Sequence, residues 1–135
     1  MSGSTVIDVD KVPVVDRGAG IKTQPLIGHS ALSGANMYSA MTWFPPGEGA
    51  PLHYHQRDEH ITMMEGRGIV EIDGVMTQIK AHDTMYIEAG SHHRFYNTGN
   101  EPMCILWIHN SSNATRTLVE TGETNTHRPG TDRLA

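Results

Sequence analysis

Apolar positions along this chain fall in short clusters, and no window of useful length repeats with helical spacing. Val6, Val9, Val12, Val14, Ile21 and Leu26 recur loosely, while Pro13, Gly18, Gly20 and Pro25 interrupt any helix. This predicts short strands at residues 6–9 and 21–26. Residues 36–44 (NMYSAMTWF) read as a strand stopped by Pro45-Pro46-Gly47. Further strands are predicted at 51–55 and at 59–64, the second halted by Gly66 and Gly68. Residues 69–72 and 76–79 flank Asp73-Gly74, the strongest hairpin signal in the chain. Short strands follow at 84–87 and 93–96. Residues 103–109 (MCILWIH) are continuously apolar, as in a strand covered on both faces. A last strand is expected at 115–119. Strands spaced by about ten residues and separated by glycine and proline turns indicate an all-β sandwich or barrel.

Length and composition narrow the picture. The 135 residues fit one domain. A chain of this size buries roughly two-thirds of its unfolded surface. The formal net charge of -5 argues against nucleic acid or an anionic membrane as partner. One cysteine, Cys104, permits no internal disulfide and fits a reducing compartment. The first ten residues lack the basic and apolar regions of a signal peptide, and no apolar run approaches the ~18 residues of a membrane span. The expectation is a cytoplasmic protein. The nine histidines are dispersed, unlike a purification tag, and histidine is the commonest side-chain metal ligand.

The chemistry concentrates in residues 46–60, PGEGAPLHYHQRDEH. His53 and His55 alternate with Tyr54, so in an extended strand they share a face, roughly 7 Å apart. Glu59 follows four residues on. Two imidazoles and a carboxylate on one face can hold a divalent transition metal. A second histidine-bearing segment, residues 82–97, carries His93 and Asn97.

Together these segments resemble the cupin superfamily. Gly47, His53, His55, Glu59 and Gly66 match every position of its first motif. Gly90, His93 and Asn97 match the second, with His82 standing where a glycine is usual and Glu88 where a proline is usual. The resemblance covers residues 36–109. It implies a double-stranded β-helix (jelly-roll) barrel at 36–119, preceded by N-terminal strands and a dimer arm at 1–35 and followed by a polar tail at 120–135. It also implies a metal held by His53, His55, Glu59 and His93. That donor set suits iron, manganese, nickel, cobalt or zinc. Glu59 is a ligand, or else the acid/base beside a three-histidine site.

Strand parity places Met63 with Glu59, Phe95 with His93, and Trp107 with His109. These four, Met63, Phe95, Trp107 and His109, are the predicted pocket residues; Tyr38, Met41, Trp43 and Tyr86 are further wall candidates. His60 and His92 adjoin ligands, so alternation turns both outward, and His82 is expected at the surface. The function implied is a metal-dependent enzyme acting on a small oxygenated molecule such as an enolate, diketone, catechol or hydroxy acid. Eight methionines, read as an apolar pocket wall, favour a dioxygenase-like oxidoreductase. A non-redox isomerase, lyase or decarboxylase is the second reading, and a ligand-binding cupin without turnover the third. A homodimer is expected, because an open sheet edge needs cover.

Overall fold

The computed structural model describes residues 4–28 and 34–126. Its strands are β1 (Val15–Gly18), β2 (Ile21–Ile27), β3 (Tyr38–Phe44), β4 (His53–Tyr54), β5 (Glu59–Glu65), β6 (Arg67–Ile72), β7 (Val75–Lys80), β8 (Thr84–Ile87), β9 (His93–Asn97), β10 (Met103–His109), β11 (Thr115–Leu118) and β12 (Thr124–Thr126). They form two six-stranded sheets, ordered β1-β2-β3-β10-β5-β8 and β12-β11-β4-β9-β6-β7. Every strand pairing is antiparallel. From β3 to β11 the chain passes back and forth between the sheets, pausing in one only for the β6–β7 hairpin. This is the predicted all-β jelly-roll barrel. Its core, with Tyr38, Phe44, Ile61, Val70, Phe95 and Trp107, lies between the sheets.

Local chemistry accounts for the turns. Asp73 and Gly74 both have positive φ, 49° and 85°, as the two central residues of a type I′ hairpin require. Gly66 joins β5 to β6 at φ +80°, and a Cβ there would lie 2.7 Å from the Pro102 carbonyl oxygen. Only glycine meets both demands without a shift of backbone. His82 adopts φ 79° in the β7–β8 turn, so it takes the conformation of the glycine it replaces. The predicted two-sided cover of β10 is incomplete. It lies between β3 and β5 in its sheet with its inner face buried, while Leu106 and Ile108 on the outer face are half-buried.

Three segments differ from expectation. Residues 6–9 form no strand. Val6 is 92% exposed, and Val9–Lys11 make one 3₁₀ turn whose Asp8 carboxylate accepts from the Asp10 amide at 3.1 Å. With no apolar burial to reward pairing, the aspartate's local hydrogen bond prevails. β1 lies instead at Val15–Gly18, because Gly18, Ala19 and Gly20, all at positive φ, turn the chain into a hairpin with β2. The polar tail contributes β12, which pairs with β11; residues 127–135 lie outside the described residues. Among the described residues no helix is long and apolar enough to cross a membrane.

Candidate metal centre

Two cross-strand pairs build the site. In one sheet His53 on β4 stands directly opposite His93 on β9. In the other, Glu59 on β5 stands opposite His109 on β10. His55 sits just past the end of β4, in the connection to β5. All five side chains are buried. The rings of His53 and His93 lie 4.3 Å apart between centroids, those of His53 and His55 5.0 Å, and those of His55 and His109 4.5 Å. Ligand atoms of His53, His55 and His93 fall within 4.8 Å of one another, as do those of His55, Glu59 and His109.

Three of the histidines are oriented by backbone carbonyls. His53 Nδ1 lies 2.7 Å from Pro51 O, His55 Nδ1 2.8 Å from Thr115 O, and His93 Nδ1 2.9 Å from Ser91 O. A carbonyl oxygen only accepts, so each Nδ1 carries a hydrogen and Nε2 is the atom each ring turns to the site. His93 Nε2 is 3.1 Å and His55 Nε2 3.6 Å from Glu59 Oε1. Glu59 Oε2 lies 3.2 Å from His109 Nε2. Lone pairs of imidazole and carboxylate at this range repel unless a cation or a proton lies among them. The donor set, its convergence and its carbonyl anchors therefore fit a divalent transition metal.

The electrostatics agree. Burial first, then His93 and His55, hold the His53 imidazole well below its ordinary value. Burial alone pushes the Glu59 carboxyl upward, but the imidazoles of His109 and His55 outweigh it and draw the group well below the ordinary carboxylate range. At neutral pH the site thus presents a neutral His53 ring and an ionised carboxylate, the forms that ligate metal. Cys104 is no rival nucleophile, since burial pushes its thiol up to about 12.

A cavity of ≈ 30 Å³ adjoins His53, His55, Glu59 and His93. Of the predicted pocket residues, Phe95 and Trp107 line it. Trp107 is fixed there by its indole N–H, which donates to Thr42 Oγ1 at 2.9 Å. His109 is fully buried behind Glu59, so it braces the carboxylate rather than the mouth. Met63 does not line the cavity. It points inward and is buried, but it lies two residues past the lining residue Ile61, roughly 7 Å further along β5. The remaining wall candidates also fall elsewhere. Tyr38 packs edge-on against Trp107 in the core, Met41 and Trp43 are half-buried on the opposite parity of β3, and Tyr86 is 67% exposed. His60, His82 and His92 are exposed. Among the described residues no methionine lines the cavity; its apolar wall includes Phe44, Ile61 and Ile105.

Two charged lining residues escaped the sequence reading, Arg17 on β1 and Arg116 on β11, both fully buried. Neither stands in a recognisable motif. The only local signal is an arginine placed at an inward position of a short strand.

Comparison with known proteins places this arrangement. The family model described as "Cupin domain" matches residues 40–109. An uncharacterized protein of Methanocaldococcus jannaschii is 31% identical over 101 residues, covering 73% of this chain and 80% of that protein. The dimethylsulfoniopropionate lyase DddW of Ruegeria pomeroyi is 32% identical over 91 residues, covering 64% of this chain and 60% of the lyase. Among solved structures, a conserved protein with a double-stranded β-helix domain from Klebsiella pneumoniae superposes with a TM-score of 0.69 at 20% identity, over 86% of this chain and 97% of that one. With a family model spanning more than half of its length and a sheet topology to match, this chain belongs to the cupin family.

Proposed function

We propose that this protein is a metal-dependent enzyme acting on a small oxygenated molecule. One divalent ion would be held by His53, His55, His93 and Glu59, with His109 bracing the second carboxylate oxygen. The observation that carries this reading is the convergence of three carbonyl-anchored imidazoles on one ionised carboxylate beside a cavity. When bound, the ion supplies Lewis acidity toward a chelating enolate, diketone or hydroxy acid. The chain supplies the rest. Phe44, Ile61, Phe95, Ile105 and Trp107 keep water from the reacting face, which strengthens the site's electrostatics. In the alternative in which the three histidines alone hold the ion, Glu59 is the group that would take a proton from the substrate.

Dioxygenase-like oxidation is the first reaction to test. Its support is now the aromatic and aliphatic wall, since the methionines lie elsewhere. A non-redox lyase, isomerase or decarboxylase is the second reading, favoured by the relative named as a dimethylsulfoniopropionate lyase. Oxygen uptake should be followed with iron- or manganese-loaded protein against diketones, catechols and hydroxy acids, with product analysis alongside. Uptake matched to product supports the dioxygenase-like reading; product without uptake supports the non-redox lyase, isomerase or decarboxylase class. No turnover, with ligands still raising the melting temperature, leaves a binding protein and ends the enzyme proposal. For assembly the proposal is a homodimer.

A further inference from the structure

We propose that Gln56 is a positioning residue of the metal centre: it fixes Thr115, whose carbonyl aims His55 at the ion. This rests on the metal-centre reading above and adds a residue from outside the ligand set.

The place of Gln56 follows from how β4 ends. β4 pairs with β11 through His53 with Leu118 and Tyr54 with Thr117, and the pairing stops there. One residue on, the His55 carbonyl accepts from the Gly90 amide at 2.8 Å, so the main chain has turned toward the β8–β9 connection. Continued in the same register, the ladder would set Gln56 opposite Thr115. Side chains take the place of the missing main-chain bonds. His55 Nδ1 donates to the Thr115 carbonyl at 2.8 Å. Gln56 Oε1 accepts from the Thr115 amide at 2.7 Å and from the Thr115 hydroxyl at 2.8 Å. Gln56 Nε2 donates to the Asn113 carbonyl at 3.0 Å.

A backbone N–H only donates and a carbonyl only accepts, so the Gln56 oxygen faces Thr115 and its nitrogen faces Asn113. Gln56 is exposed, yet its amide makes three hydrogen bonds to one stretch of chain, residues 113–115. Thr115 is thereby gripped at its amide by Gln56 and at its carbonyl by His55, on either side of its Cα. A carbonyl free to swing does not hold an imidazole in one orientation or one tautomer. Asn113 and Thr115 both lie beyond the segment that matches the family, 40–109. Gln56 thus ties the ligand loop to a strand outside that segment.

The test compares Gln56→Met, which keeps the side-chain length and removes its hydrogen bonds, with Gln56→Glu, which keeps an acceptor facing Thr115. The side chain is exposed, so neither variant disturbs the core. Manganese affinity is measured by calorimetry, and nitrogen-15 spectra of the histidine rings are recorded on metal-free protein at pH 8. Gln56→Met is expected to weaken manganese binding about tenfold, and Gln56→Glu to stay within about threefold of the parent. In the metal-free spectra the His55 ring of Gln56→Met should lose its fixed Nδ1–H form, while His53 and His93, anchored by Pro51 and Ser91, keep theirs. Manganese affinity within about twofold of the parent in Gln56→Met overturns the proposal. So does weaker binding shared equally by Gln56→Glu, or weaker binding with no change at the His55 ring, because either marks a general loosening of the loop. If the parent chain takes up no manganese, the metal-centre reading fails by itself, and the His55 ring in the metal-free spectra still decides whether Gln56 positions it.

Discussion

At the scale of single residues, His93 is the most exacting test of the centre. It faces His53 across the strands and Glu59 across the barrel, and its Nδ1 is already committed to Ser91. His93→Ala is expected to weaken metal binding by about tenfold or more, with an unchanged circular-dichroism spectrum. Elemental analysis of protein prepared without a nickel column checks this; undiminished metal content removes His93 from the site. His53 makes a prediction about pH. Its folded pKa lies well below the ordinary 6.5, so the unfolded chain takes up a proton at that position before the folded chain does. Above 6.5 neither state is protonated there and the His53 contribution to stability is intact. As pH falls through that value toward the folded pKa, it is lost. Metal-free protein should therefore melt at progressively lower temperature below pH 6.5, and His53→Gln should flatten that part of the profile. Equal slopes for the two proteins between pH 6.5 and 5 would refute the assignment.

At the scale of elements, the turns decide how accurately the strands deliver their ligands. His82 holds a left-handed conformation between β7 and β8, where a side chain is strained. His82→Gly relieves that strain at some cost in unfolded-state entropy, for a net gain of about 1 kcal/mol. Chemical denaturation checks it, and a loss of stability would show that the His82 side chain contributes more than its backbone strain removes. Gly66 gives the opposite case. Ala at that position combines positive φ with a Cβ 2.7 Å from the Pro102 oxygen, and should destabilise by about 2 kcal/mol. A neutral Gly66→Ala would mean that the β5–β6 turn relaxes freely.

At the scale of the whole molecule, the two sheets end in β1, β8, β12 and β7, strands with one unpaired edge each. The outer face of β2, β3 and β10 also carries Leu26, Ile27, Leu106 and Ile108 beside Ile7 of the N-terminal segment. Unpaired edges and an apolar face favour association of two copies. Light scattering at working concentration is expected to give twice the chain mass, and Ile108→Lys to shift it toward one. A monomeric parent chain ends the dimer proposal.

Much of this organisation is legible in the order of residues alone. Strand parity and turn chemistry are local, so the Asp73-Gly74 hairpin, the apolar β10 run and the sidedness of His53, His55 and Glu59 could be read before any fold was known. The strand misplaced at residues 6–9 failed because a propensity counts only where burial rewards it, and Val6 meets solvent. What the tertiary structure alone decided is which distant strands meet. Glu59 opposite His109 and Met63 beyond the cavity both depend on register between strands far apart in the chain. The spacing of residues within one strand carries no record of the register it takes against another, and that register determines which side chains share the cavity.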